Sequence, residues 1–445
     1  MALLAGWILA CLVGAWLTRR HTAVACGLVV VVWLSIPSVA GQRLTGINTL
    51  HPASLLCVVV FGVQLIARSD RLAHVLILHR YTVLVASVFV VGTLLTSGLM
   101  GRSGARLLLD VIVIPFLLFL LVATLRSARE LEILRNIVLA AVAVEVVYVL
   151  IQQQLGSMIL FAKDYEKLRW FKPETFDRWM GTTDSPLALA LIVSCTAPLT
   201  FGLRSSLVRI PLLMLDLLAC LITQTRSGVA LMAVIIVYSV FRAKTAVWIR
   251  ILSTIALAVG LYLVATSSFI GATAERFTDD SGSIDARRRA LDFMAENIGQ
   301  FVLLGQGMRA SYEVARLGGL QTSLESSYLM YVVDSGAVLA TLYFGMQVAL
   351  VVGYGHQRLV RGATLAAGVA LISQHVSSSV GYTNASGTFI WLVLGLMVAA
   401  ADAPPPCGVS LVTGGRFTVA ERTGFAAGRS QRTRAAASAL TSSRV

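Results

Sequence analysis

The sequence is short of charge, and shorter still of acid. Only 13% of its residues are charged, and 22 Asp and Glu stand against 36 Lys and Arg, which excludes a soluble enzyme with a solvated surface. Cysteine is scarce and poorly placed for cross-linking. Cys11, Cys26, Cys57, Cys195 and Cys220 fall inside apolar segments and Cys407 falls in the C-terminal tail, so no disulfide framework or zinc cluster is expected. Walker-type loops, a Ser-His-Asp order and zinc motifs are all missing, which removes the commonest nucleotide- and metal-dependent chemistries. The chain also lacks an internal repeat of fixed period and a separate soluble domain.

Long hydrophobic runs fill the space that charge leaves. Apolar residues make up 57% of the chain and the mean hydropathy is +0.81. The runs fall near 2–17, 22–40, 52–67, 81–100, 107–125, 136–156, 186–203, 209–223, 227–242, 250–270, 326–353, 362–380 and 388–401. They predict an all-α, polytopic transmembrane bundle of 12–13 spans over residues 1–402, several close to the shortest helix that crosses ~30 Å of hydrocarbon. The first run has a basic C-terminal flank and no small-residue cleavage site, so it reads as a retained span. Short loops after odd-numbered spans carry fifteen basic residues, among them Arg19, Arg68, Arg204, Arg209 and Arg361; those after even-numbered spans carry four, Arg43, Arg102, Arg106 and Arg226. This bias puts the two long loops, 157–185 and 271–325, outside and the C-terminus in the cytoplasm. The tail, 403–445, opens on Pro404-Pro405-Pro406 and carries Arg416, Arg422, Arg429, Arg432, Arg434 and Arg444. It is expected to be disordered and to meet anionic membrane lipids; nucleic-acid binding is not expected, because no folded basic module accompanies it.

The second long loop is the organising stretch. Residues 283–298 read as an amphipathic helix capped by Ser283, with Ile284, Leu291, Met294 and Ile298 in one stripe. Arg288 has Asp285 and Asp292 within pairing reach and Arg289 has Asp285, whereas Arg287 has no such carboxylate and falls on the stripe. An unpaired guanidinium on a buried or lipid-facing side calls for an anion from elsewhere. Arg226, in the short turn Thr223-Gln-Thr-Arg-Ser-Gly228, also has no acidic neighbour in sequence; the alternative is an arginine that snorkels to bulk lipid phosphates.

The run from Arg287 through Leu303-Leu-Gly-Gln-Gly307 to Glu325-Ser-Ser-Tyr-Leu-Met-Tyr-Val-Val-Asp-Ser-Gly336 resembles the signature of the O-antigen ligase and O-antigen polymerase superfamily. Tyr328, Leu329, Asp334 and Gly336 match in spacing, while Glu325-Ser326 stands where many members have His-Asn. Arg178-x-x-Gly181 and Arg226-Ser-Gly228 are similar to two further stretches of that family. The resemblance implies a glycosyltransferase-C-like membrane enzyme of the bacterial cytoplasmic membrane, with its active site on the external side. It implies transfer of a polyprenyl diphosphate-linked glycan to a hydroxyl on a glycan or lipid acceptor, with no cofactor and no metal.

Two guanidinium forks suit a diphosphate, so Arg226 and Arg287 are the expected leaving-group anchors. Glu325 is the expected general base; the structural alternative is a Thr322-x-x-Glu325 capping box. Arg178, Asp184, Arg288, Tyr328 and His375 are expected to contact substrate. For Asp184 the alternative is a cap on the following span, and His375 is an alternative base. Asp334 is expected to support the site rather than react, Glu145, Asp216 and Gln374 to line a cavity or join helices, and Asp279-Asp280 to be solvated loop. A lipid-linked oligosaccharide flippase is the second functional reading and a non-catalytic envelope scaffold the third.

Overall fold

The structure, a computed structural model, describes residues 2–45, 50–168, 171, 178–242, 281–320, 323–356 and 360–403. The expected span at 250–270, Asp279-Asp280, Thr322 and the tail from 404 onward lie outside them, as does most of the aromatic stretch at 169–177. The described residues are helical, with no strand among them. In chain order the helices are α1 (Ala2–Leu17), α2 (Thr22–Ser35), α3 (Ser38–Thr45), α4 (Pro52–Ala67), α5 (Ser69–Leu78), α6 (Arg80–Leu99), α7 (Ala105–Ala123) and α8 (Ala128–Leu155). After a loop come α9 (Pro186–Thr196), which tightens into a 3-10 turn over Ala197–Gly202, then α10 (Ser206–Ile222) and α11 (Arg226–Arg242). The remainder comprises α12 (Ser281–Asn297), α13 (Ala310–Leu317), α14 (Ser327–Ser335), α15 (Ala337–Tyr354), α16 (Ala363–Val376) and α17 (Ser386–Asp402).

Among the described residues α6, α7, α8 and α15 are long and apolar enough to cross a membrane. The pair α4–α5 joins them as one broken element bent by 104°, and six further apolar helices are shorter. Their ends are set locally. Ser127 and Glu130 form a reciprocal capping box that starts α8, and Gly156, at φ +61°, ends it. The core is the last helix. α17 is buried from Ser386 to Ala400 and packs along α7, where a Cβ on Gly395 would come within 3.0 Å of Val122. Trp391 meets Phe116 and Phe119 edge-on and donates its indole N–H to the Tyr343 hydroxyl at 3.0 Å, so its one polar atom is satisfied. Leu95, Val144 and Val352 are exposed on outer faces, as a lipid-facing surface requires.

The expected single span at 326–353 is instead two helices, α14 and α15, broken at Gly336 (φ +100°). A break leaves carbonyls without partners, and in hydrocarbon they must be satisfied by protein. The strap Leu303–Gly307 does this. Gln306 and Gly307 donate their N–H groups to the carbonyls of Val333 and Asp334 at 2.7 and 3.0 Å, and Val338 donates to the Val302 carbonyl at 3.2 Å. The buried Asp334 carboxylate accepts from the N–H groups of Arg309 (3.2 Å) and Ser311 (2.7 Å), the supporting role expected of it. Gly305 lies so close that an added Cβ would sit 2.4 Å from the Asp334 carbonyl. Gly305→Ala is therefore expected to cost about 1–3 kcal/mol, read as a lower unfolding midpoint in detergent. Gly62→Ala, which meets nothing within 4 Å, should be neutral or mildly stabilising; equal midpoints for the two variants would refute the role of the strap.

The amphipathic helix also departs from expectation. Ser283 lies inside α12 rather than capping it. The face that packs carries Ala290 and Met294, with Phe293 half-buried, whereas Leu291 and Ile298 are exposed. Arg287, three residues before Ala290 and seven before Met294, borders that face, and its side chain is exposed.

Candidate active site

The site forms where α16 ends. Ser327, the first residue of α14, donates both its backbone N–H (3.0 Å) and its hydroxyl (2.6 Å) to the Ser377 carbonyl. Val380 returns an N–H to the Ser327 hydroxyl at 3.4 Å, and the buried Tyr331 hydroxyl donates to the Val380 carbonyl at 3.1 Å. These bonds fasten the start of α14 to the Ser-rich turn 377–379. Tyr328, one residue on, stacks obliquely near His375 with ring centroids 5.7 Å apart, and its hydroxyl bonds Thr341 Oγ1 at 3.0 Å.

Glu325 sits just before this clasp. Its N–H donates to Ser323 Oγ at 3.3 Å, its side chain is half-buried, and its φ is +55°, in the left-handed region that a glutamate adopts at a cost. The helix starts at Ser327 with Ser326 as its cap, so Glu325 precedes the helix and cannot be the fourth residue of a capping box. Arg287 reaches the same place from α12, its Nη2 donating to the Val376 carbonyl at 3.4 Å. Arg288 is exposed, and Arg289 donates Nε to the Asp285 carbonyl at 3.3 Å. Among the described residues no ion pair joins either arginine to Asp285 or Asp292.

Arg226 opens α11 beside a narrow crevice of about 10 Å³. Thr225, Ser227 and Ser194 line one wall and Ser373 and Ser377 of the α16 end line another; the Ser373 hydroxyl is buried without a hydrogen-bond partner. The turn before Arg226 is held by Arg178, whose Nε donates to the Thr223 carbonyl at 3.1 Å. Gln224, in that turn, is a second non-glycine at positive φ (+49°).

Asp184 lies elsewhere. It is buried, and its carboxylate accepts from the N–H groups of Ser38 (3.1 Å) and Val39 (3.3 Å) at the start of α3, while the cap on α9 is Ser185. The loop around it is braced throughout. Thr182 bonds Glu145 and the Leu34 carbonyl, Gln152 exchanges two bonds with Gly181, and the Tyr382 hydroxyl donates to Ser185. Burial pushes the Asp184 carboxyl from 3.8 up to about 6, only partly offset by its Ser38 and Val39 donors. A carboxyl that holds its proton more tightly when folded favours the fold below pH ~4, and that contribution is lost as pH rises through about 6. The unfolding midpoint is therefore expected to fall across that window in wild type and to flatten in Asp184→Asn. An unchanged slope in the variant would remove Asp184 as its source.

The geometry thus brings Arg287, Glu325, Tyr328 and His375 to one turn, links that turn through Ser377 to the hydroxyl-lined crevice beside Arg226, and ties Arg178 to the Arg226 turn. It leaves Asp184 as a buried brace. Guanidinium groups and a carboxylate on a strained turn can hold a phosphate-bearing leaving group and accept a proton. Among the described residues no three of His, Cys, Asp and Glu gather as a metal site. Residues 211–344 match the family model described as O-antigen ligase. That segment is similar to the O-antigen ligase family. The O-antigen ligase match encloses Arg226, Arg287, Arg288, Glu325 and Tyr328, with Arg178, Asp184 and His375 outside it. No curated protein and no solved structure matches the chain. The match, together with the apolar helices, supports a glycan-transferase-like activity in a multi-pass membrane protein. Missed in the sequence were Ser327, Ser373 and Ser377, whose signal was the serine run that directly follows His375 and Val376.

Proposed function

We propose that the protein transfers a glycan from a polyprenyl diphosphate carrier to an acceptor hydroxyl at the external face of the cytoplasmic membrane. The observation that carries this reading is the meeting of Arg287 and Glu325 at the Ser377 turn, which also lines the crevice beside the Arg226 turn. The acceptor oxygen attacks the anomeric carbon, the bond from that carbon to the phosphate oxygen breaks, and polyprenyl diphosphate leaves. Glu325 takes the acceptor proton. Arg226 and Arg287 stabilise the charge that develops on the diphosphate, a role that needs neither a metal nor a nucleotide. In-line attack inverts the anomeric centre. Arg288 and Tyr328 line the approach, Arg178 fixes the Arg226 turn, and Asp184 braces the external loop.

The test follows polyprenyl diphosphate release from purified protein in lipid, with a panel of polyprenyl diphosphate-linked oligosaccharides and candidate acceptors. Release should require an acceptor and persist in a chelator, and the productive acceptor separates ligase from polymerase. No release with any donor, together with movement of the carrier across the bilayer, would favour a flippase instead.

A further inference from the structure

α10 and α16 each run from the site to a far end roughly 20–25 Å away, given 1.5 Å per residue. Four arginines gather there around the 3-10 turn Ala197–Gly202. Arg135 of α8 lies against the turn's end, where a Cβ on Gly202 would meet its Nη1 at 2.2 Å. Arg204 follows the turn and lies close enough to Arg135 for the two charges to oppose each other. Arg361 precedes α16 and is set beside the turn by Gly362, whose backbone abuts the Pro198 carbonyl. Arg361 in turn opposes Arg209 in the first turn of α10.

Among the described residues carboxylates offset this group only at Arg135, through Glu132. Glu130 takes Arg68 and Arg71, Asp402 takes His79, and Glu132 lies beside Arg135. Among the described residues none forms an ion pair with Arg204, Arg209 or Arg361. Arg209 Nε is buried with no hydrogen-bond partner, and Arg135 bonds only its neighbour Asn136, at 2.9 and 3.1 Å. Arg135 is buried and Arg209 half-buried, while Arg204 and Arg361 are exposed beside them; like charges so crowded, one with an unsatisfied buried donor, call for an anion that accepts from planar guanidinium groups, which is the chemistry of a phosphate. Leu207 and Val208, directly before Arg209, are 82% and 51% exposed, so an apolar seat adjoins the charged one.

We propose that the Arg135–Arg204–Arg209–Arg361 cluster binds the head group of an anionic phospholipid whose acyl chain lies over Leu207 and Val208. A zwitterionic lipid cancels its own phosphate and leaves the cluster's charge uncompensated; an anionic one does not. The site is separate from the transfer chemistry, and its occupant is bilayer lipid, not substrate.

The test measures the unfolding midpoint of the full chain in nanodiscs as phosphatidylglycerol replaces phosphatidylcholine, alongside native mass spectrometry of retained lipid. Phosphatidylglycerol should raise the midpoint and stay bound, and Arg209→Gln/Arg361→Gln should weaken retention about tenfold or more. Arg80→Gln, an exposed arginine outside the cluster, should not. Equal effects of the two lipids on wild type would overturn the proposal even if the double variant failed to fold. So would undiminished retention by that variant, or an equal rise from millimolar inorganic phosphate, which would indicate a soluble anion.

Discussion

Replacing Arg287 by alanine is expected to slow glycan transfer by about 10²- to 10³-fold while leaving the unfolding midpoint almost unmoved. The two halves of that result have separate causes. Arg287 is exposed at the edge of the packed face of α12, and the bond that places it, to the Val376 carbonyl, is a long 3.4 Å contact. Loss of such a contact alters stability by no more than about 0.5 kcal/mol. Activity differs because a guanidinium on the departing diphosphate is worth most when charge accumulates there. The loss should therefore appear in kcat, with KM nearly unchanged. Arg287→Lys keeps the charge but not the fork and should fall between wild type and alanine. Arg226→Ala should lose a similar factor, and the double variant should lose less than the product, because both residues hold one leaving group. A well-folded Arg287→Ala protein with full transfer would end the assignment, and one with only a raised KM would reduce Arg287 to a docking contact.

Arg287 also shows how far the sequence could be read. Its lack of a carboxylate three or four residues away was plain, and so was its place in a helix; its face was not. The expected stripe followed the large aliphatic residues, but α12 packs through Ala290 and Met294, and Phe293 fits over Gly318, so close approach decided the buried side. The class of fold followed from long apolar runs and the one-sided arginines, because hydrocarbon tolerates little else. The break at Gly336 did not, since it depends on a strap that arrives from thirty residues upstream. Asp184 and Ser185 show the same limit. Either could cap a helix, and only the arrival of α3 decides that Asp184 serves α3 while Ser185 serves α9. The capping-box reading of Glu325 failed because the helix begins at Ser327, four residues after the first position such a box would set.

Glu325 carries the second large effect, and its backbone allows chemistry and strain to be separated. Glu325→Gln keeps the shape and the left-handed φ of +55° but cannot take a proton, and transfer should drop by about 10²- to 10⁴-fold. Glu325→Gly removes the carboxylate and also the steric cost of that φ, so it should be as stable as wild type or more so, by roughly 1 kcal/mol, and equally inactive. If residue 325 mattered only for its turn, the glycine variant would keep its activity. His375 supplies the competing outcome. Its ring lies 5.7 Å from that of Tyr328, within the same cluster, and its imidazole is the other group there with the chemistry of a general base. Loss of transfer in His375→Ala, with transfer retained in Glu325→Gln, would move the base from the strained turn to the end of α16. The diphosphate would still be held between Arg226 and Arg287.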